Sequence, residues 1–463
     1  MKHSCPPGPI TEWSNTWGGK FDDKLYEMVV DSSDYYYLAG DTWSYGNGSS
    51  DIFLVKMNES LIQNVTWGGV ESDQFGGMII DSNNDIYITG STSSYGIGEK
   101  NVFLLKYNNS LDLSWYNIWG NNNIDKCTEI MVDSLDNIYI AGITNYPYCG
   151  IFLVKYNSAG DLQWDLNYNT GIPNVSEDLF SMLLDSSDHI FFSVNTNASG
   201  SEWFLLKYDN SGTLLLNNSY SKFVPLELLA LDSLDNLYAI GSYNNNTYLT
   251  KFDNNGNLEW NHTCIKNSLP GAEVLAVDPY DNIVVAGNEL INPSVFLYGY
   301  NVTDYDTYLM RFNSSGFLKS NFTLSGNNRY SEIIAFDPLG YVYLGGSTEM
   351  ISNKDLNIFL YIFDNSGTPL WSTGGGWEGD AYCKGIYAKS VKHIIVAECT
   401  PRFNGSDYEV KVTKFLYPLP SYCPEPNYTL FFMLHIGLSS VCIITGIYYF
   451  IIKKKRVVNF LLY

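Results

Sequence analysis

Positive charge is scarce in this chain. Its 463 residues hold 26 Lys and Arg against 49 Asp and Glu, for a formal net charge of −23 and a sequence pI near 4.4. A field of that sign repels phosphate backbones, so nucleic acid is not an expected partner. Histidine is rarer still: His3, His189, His262, His393 and His435 are the whole complement. None makes HExxH or an evident triad, and the chain has no GxSxG, no Walker A sequence and no GxGxxG leading into a helix. No CxxC occurs among the eight cysteines, and no His lies at zinc-finger spacing from a cysteine pair. Neither a metal nor a cofactor is therefore expected. Long stretches of strong helix formers are missing before residue 428. Met1–Ile10 (MKHSCPPGPI) has no apolar h-region, so no signal peptide is visible.

Aromatic mass is what the chain has in quantity. It is 45% hydrophobic and 16% aromatic, with 37 Tyr. That is enough to fill a large core and argues against disorder, and it favours strands. A ten-residue phrase then recurs. DSSDYYYLAG begins at Asp31, DSNNDIYITG at Asp81, DSLDNIYIAG at Asp133, DSSDHIFFSV at Asp185, DSLDNLYAIG at Asp232, DPYDNIVVAG at Asp278 and DPLGYVYLGG at Asp337. KSVKHIIVAE at Lys389 is a degraded eighth copy. A period near 50 residues belongs to propellers.

Each unit has one grammar. A short apolar run comes first, then an Asp-rich turn, then an alternating strand ending near Gly (Gly40, Gly90, Gly142, Gly241, Gly287, Gly346). A third strand of the type IFLVKYN (151–157) follows, and a Gly-containing turn leads to a fourth ending near Trp, as in NSAGDLQW (157–164). Four short strands per unit make a propeller blade. The turn Asp can accept its own turn N–H groups, and Asp, Asn or Gly three residues on tolerates a left-handed backbone. No Asp-x-Asp-x-Asp-Gly loop with a closing Glu supports a calcium reading of these turns. The Gly after the second strand is expected to end it. Trp17, Trp67 and Trp119, each followed by Gly, read as blade-to-blade packing.

The fold class is thus all-β: a β-propeller of about eight four-stranded blades over residues 10–416, with seven the alternative count if one degenerate unit is misread. The last set lacks a fourth strand, because LYPLPSYCPEP after Phe415 is Pro-rich. ITEWSNTWGG (10–19) matches fourth-strand text and is expected to complete that blade and close the ring. Residues 1–9 form an N-terminal segment ahead of it. Cys383 and Cys399 lie symmetrically about Val391 in a hairpin and are expected to pair. Cys127 with Cys149, near one rim of the third blade, and Cys5 with Cys423, flanking the closure, are the other candidate staples.

After a Pro-rich linker (417–429), residues 430–452 read LFFMLHIGLSSVCIITGIYYFII without a charge, long enough to span a bilayer core. The basic tail 453–463 opens with Lys453, Lys454, Lys455 and Arg456, which places it in the cytoplasm and the propeller outside, at a cell membrane crossed once. A leader preceding residue 1 is the expectation that reconciles this topology with the start of the chain. Fourteen Asn-x-Ser/Thr sequons, including Asn47, Asn64, Asn108, Asn174, Asn261, Asn321 and Asn427, agree with an outside placement.

The text D-x-x-D/G-N-I/L-Y-x-x-G, then F-L-V-K-Y-N/D-x-x-G-x-L-x-W, then W-G-G resembles the SBBP (seven-bladed β-propeller) repeat family over roughly residues 10–415. The resemblance implies a propeller displayed on a prokaryotic cell surface and implies no catalytic residues, because its motif is a folding motif. Asp253-x-x-Gly256-x-x-x-Trp260 is similar to the tryptophan-docking motifs of quinoprotein dehydrogenases, whose spacing is one residue longer. The functional expectation is a membrane-anchored surface binding or structural module with a protein or glycan ligand that the sequence does not identify. The alternative is an extracellular propeller enzyme (glycosidase, lyase or quinoprotein-like) with an axial active site.

Overall fold

The computed structural model describes residues 10–122, 124–144, 150–169, 177–196, 202–266, 270–297, 300–324, 329–349, 356–374, 381–390, 393–401 and 407–416. All regular structure among them is β, arranged as eight four-stranded antiparallel sheets, the blades of a β-propeller. Blades one to seven are consecutive meanders over 23–67, 73–119, 125–168, 177–220, 228–266, 270–324 and 329–374. In blade eight the strands Tyr382–Ser390, His393–Pro401 and Tyr408–Leu416 are completed by the N-terminal strand Ile10–Trp17, which pairs antiparallel with Tyr408–Leu416. The eighth fourth strand thus comes from the N-terminus, as the sequence pattern requires. Residues 417–463, which hold the linker, the membrane-helix candidate and the basic tail, lie outside the described residues. Among the described residues no helix is long and apolar enough to cross a membrane.

The chain divides into two compact units. One holds 29–58 and 62–267, with blades two to five and much of blade one; the other holds 1–28, 59–61 and 268–436, with blades six to eight. Within each, first strands of successive blades pack together: those of blades two, three, four and five in one unit, and of six, seven and eight in the other. First strands therefore form the inner edge. Second and third strands are covered on both faces, which is why Ile86–Thr92 and Asn101–Tyr107 are buried at every position. Fourth strands such as Leu162–Tyr168 alternate exposed with half-buried residues, as an outer strand should. Tyr87, Tyr139, Phe103 and Phe152 are fully buried between blades. Each such side chain contributes roughly 1.5–3 kcal/mol. Trp67 and Trp119, at the ends of blades one and two, pack on Phe103 and Phe152 of the following blade, with ring centroids 4.6 and 4.5 Å apart.

The glycine of the repeat does not end its strand. The second strand of blade two runs two residues past Gly90, to Thr92, and that of blade three to Thr144. Glycine is needed because the first strand bulges there and its carbonyl comes close. A Cβ on Gly90 would lie 2.0 Å from the Gln74 oxygen, and one on Gly142 would lie 1.9 Å from that of Lys126. Gly287 and Gly346 meet Gly271 and Tyr330 in the same way. An extra residue on one strand bends it and re-aims its side chains.

Candidate functional site

The most repeated polar residues belong to the scaffold. In blade three, one oxygen of Asp133 accepts the N–H groups of Leu135 (2.9 Å) and Asn137 (2.8 Å), and the other accepts the Tyr139 hydroxyl at 3.1 Å. Lys155 lies 3.4 Å from that second oxygen and 4.8 Å from the Tyr139 ring centroid. The same ammonium donates to the Asn210 carbonyl at 3.0 Å, in the outer turn of blade four. Blade two repeats this with Asp81, Tyr87, Lys106 and the Ser158 carbonyl, and blade four with Asp185, Lys207 and the Asn254 carbonyl. In blade four His189 takes the tyrosine's part, with Nδ1 2.9 Å from Asp185. In blades two, three and four the turn Asp and third-strand Lys are thus one buried staple to the following blade.

The residue three places after the turn Asp carries a second link. Asp136, Asp188 and Asp235 have φ near 61–63°. Their carboxylates accept the hydroxyls of Ser82, Ser134 and Ser186 from the preceding blade. Asp or Asn both tolerates this backbone and makes the bond, where Gly could do only the first.

What varies within this frame is the residue five places before the turn Asp, on the inner edge. It is Gly76, Thr128, Phe180, Glu273, Glu332 and Lys384 at the bulges of blades two, three, four, six, seven and eight. Tyr26 and Glu227 occupy the same place in blades one and five. In blades seven and eight two of these residues meet. Lys384 Nζ is 3.3 Å from Glu332, whose other oxygen accepts the Ser347 hydroxyl at 2.6 Å. Burial pushes the Glu332 carboxyl up while Lys384 and Ser347 pull it back, and burial alone pushes up Glu273. The inner edge thus presents aromatic, small, acidic and basic groups in turn from blade to blade. The Glu332–Lys384 ion pair is internally neutralised. No repeat motif marks these positions; in blades two, three, six and seven the signal that locates them is the glycine that admits the bulge, while blades four and eight bulge beside Val194 and Glu398.

The histidines stand elsewhere. His189 belongs to the blade-four staple, His262 stacks on Trp260 in an outer strand (4.7 Å, 19°), and His393 opens the blade-eight hairpin. His3 and His435 lie outside the described residues. No group of three or more His, Cys, Asp or Glu side chains that could hold a metal occurs among the described residues.

The expected Cys383–Cys399 disulfide is corrected by the structure. Both are buried free thiols. The bulge at Lys384 slips the register so that Cys383 faces Glu398 and Cys399 faces Tyr382. A one-residue slip reverses the face of a side chain. Cys383 therefore points to Gly345 of blade seven, and Cys399 to the Asp23 carbonyl of blade one. Burial pushes the Cys399 thiol up to about 11 and that of Cys127 to about 12. Cys127 is free, with its sulfur on the Ala141 and Glu129 carbonyls. Its expected partner Cys149 lies outside the described residues, as do Cys5 and Cys423. Of the glycosylation candidates, Asn47, Asn64 and Asn321 are exposed. Asn108 and Asn261 commit their amide nitrogens to Asp112 (3.0 Å) and to the Phe223 carbonyl (2.7 Å). Asn174 and Asn427 lie outside the described residues.

No family model matches the chain, and no curated protein matches it. Solved structures do. The chain is 12% identical to a streptogramin B lyase, with 72% of this chain and 94% of that one covered at a TM-score of 0.43. It is 12% identical to an ulvan polysaccharide lyase, covering 73% and 79% at 0.41. A protein of unknown function from Dyadobacter fermentans is 10% identical, with 89% and 100% covered at 0.42. Similarity at this level carries nothing about activity.

Proposed function

We propose that the chain is a membrane-anchored extracellular binding module that engages a protein or glycan ligand through the inner edge of its blades. One observation carries this reading: within a nearly invariant frame, the residue five places before the turn position changes chemistry from blade to blade, through Tyr26, Gly76, Thr128, Phe180, Glu227, Glu273, Glu332 and Lys384. Selection for folding alone has no use for such variety at a position whose geometry is kept. Binding, which reads polarity and charge at defined points, does. The enzyme alternative needs an acid and a base left free to exchange protons, and the Glu332–Lys384 pair is internally satisfied.

The test uses the full-length chain in detergent or nanodiscs, displayed to a glycan array and to surface-protein extracts. Binding lost in Lys384→Ala and Glu273→Gln with unchanged thermal midpoints supports the reading. Cleavage of an array glycan by the wild type, abolished by Glu273→Gln, would replace it with the enzyme reading. Added protease should remove the propeller from intact cells and leave a short tail fragment. Protection of the propeller would overturn the outside placement.

A further inference from the structure

Where blade one meets blade two, the hydrogen bonding differs from that of the next copy of the junction, between blades two and three. There Asn101 opens a third strand and Asp125 opens the following first strand; both are buried, with Gly120 between them. Asn101 takes the Gly98 N–H on its oxygen (2.9 Å), and its amide nitrogen donates to the Asn121 carbonyl at 3.1 Å. Asp125 takes the Asn121 N–H at 2.9 Å. A donor thus sits between a carbonyl and a carboxylate.

At the earlier junction Asp51 stands where Asn101 stands, Asp73 where Asp125 does, and Gly68 where Gly120 does. Asp51 is 1% and Asp73 0% exposed. Asp51 Oδ2 accepts the Gly48 N–H at 3.2 Å, as the Asn101 oxygen does with Gly98. Asp73 Oδ2 accepts the Gly69 N–H and the Ser94 hydroxyl, both at 2.8 Å. Asp51 Oδ1 now occupies the place of the amide nitrogen. It has no hydrogen-bond partner, and this is what sets the junction apart, since Asp73 Oδ1 lacks one just as Asp125 Oδ1 does in the next copy. Both carboxylates converge on one point, since a Cβ on Gly68 would lie 1.8 Å from Asp51 Oδ1 and 2.7 Å from Asp73 Oδ2. The copy has exchanged a donor for an acceptor and left two buried like charges together, an arrangement that costs several kcal/mol unless a positive charge joins them.

We infer that Asp51 and Asp73 bind a hard cation, calcium in the first instance, at the junction of blades one and two. The ligand chemistry fits: calcium takes about 6–8 oxygen ligands, carboxylates and backbone carbonyls among them. The Gly69 and Glu71 carbonyls close on the loop at Gly48, lying 2.3 and 2.5 Å from where its Cβ would be. That loop is exposed from Tyr45 to Ser49, so water can complete the shell. Two carboxylates, carbonyls and water make a site of modest affinity, suited to an extracellular calcium concentration. The net charge of −23 draws cations to the surface.

Terbium, which replaces calcium, gives a readout that does not depend on stability. Trp67 adjoins Gly68, and the Tyr95 hydroxyl donates to the Gly68 carbonyl at 2.9 Å. Terbium added to the full-length protein in detergent, excited through the aromatic band, should luminesce several-fold above free ion, and millimolar calcium should quench it. Calcium should also raise the thermal midpoint by about 2 °C or more. Asp51→Asn rebuilds the Asn101 junction, so it should fold, melt no lower than calcium-free wild type, and lose both responses. Wild type with neither response at millimolar calcium, or Asp51→Asn retaining both, would overturn the site. A wild type stabilised by acidification and indifferent to calcium would also overturn it, since a proton would then bridge the pair.

Discussion

Blades four and seven use the same turn and differ in what neutralises it. In blade four the Asp185 carboxylate faces Lys207 at 2.9 Å and His189 at 2.9 Å. Burial raises its pKa, but the His189 N–H and the Lys207 ammonium outweigh burial and hold it below the usual carboxylate range. In blade seven Asp337 keeps the turn N–H groups of Leu339 and Tyr341 and the Tyr343 hydroxyl. Its third strand, however, places Ile362 opposite Tyr343, where the repeat has Lys. With no cation, burial pushes Asp337 up to about 6. The second link is missing there too: Pro279 of blade six has no N–H or hydroxyl to give, and Gly340 has no side chain to receive it. Blade eight departs further, with Lys389 in place of the Asp, and its third-strand Lys414 pairs with Glu12 of the N-terminal strand at 2.8 Å. In blade seven the turn's shape therefore survives without the cation, held by the Asp337 carboxylate's own hydrogen bonds, and the buried charge pair is a separate, removable layer.

The largest effect should come from blade eight, which replaces the missing staple by borrowing a strand. Deleting 10–17 strips the partner from Tyr408–Leu416 and removes Trp17, 6% exposed. A loss of ~5 kcal/mol or more is expected, against almost none for deletion of 457–463. Equal thermal midpoints for the two deletions would mean that the N-terminal strand does not hold blade eight. Next, Lys207→Met gives blade four an apolar third-strand residue, as Ile362 is in blade seven. It should cost about 3 kcal/mol at pH 7 in denaturant melts, because a buried carboxylate is left with less compensation. No change would mean that the ammonium is dispensable in both blades.

Asp337→Asn tests the contrast from the other side, with the opposite sign. The folded pKa of Asp337, about 6, lies above the unfolded value of about 3.9. The folded state therefore holds more protons between the two values, and stability falls as pH rises through that window. Removing the charge should gain roughly 2–3 kcal/mol above pH 6 and nothing below pH 4. Asp185, whose pKa is lowered, contributes stability that is present above about pH 3.9 and is lost as pH falls further. A pH-independent difference between Asp337→Asn and wild type would break the comparison. The smallest effect belongs to the second link: Ser134→Ala removes its hydroxyl bond to Asp188 and should cost about 1 kcal/mol. A null result there would place the whole inter-blade polar energy in the Lys–Asp staple.

Much of this was legible along the chain. The turn residues, the third-strand Lys and the fourth-strand Trp recur in register, and the need of blade eight for a strand shows as text left over at the N-terminus. The reading failed where one strand bulges against another. Without the extra residue at Lys384, the hairpin would set Cys383 opposite Cys399. With it, Cys383 meets Glu398. The glycine of the repeat looked like a strand end because its close neighbour, a carbonyl of the first strand, lies some 16 residues earlier in the chain.

By itself, then, the sequence determined a chain of about eight four-stranded blades with the last completed from the start, because turns and alternation are local and are written within a few residues. Tertiary structure alone decided which groups share a cavity. Asp51 and Asp73 stand 22 positions apart in blades one and two, and each is unremarked in its own strand. Their conflict exists only because Gly68 brings both carboxylates to one buried point, where the next copy of the repeat keeps an amide. Electrostatic energy depends on distance and burial, and neither is a property of position along a chain.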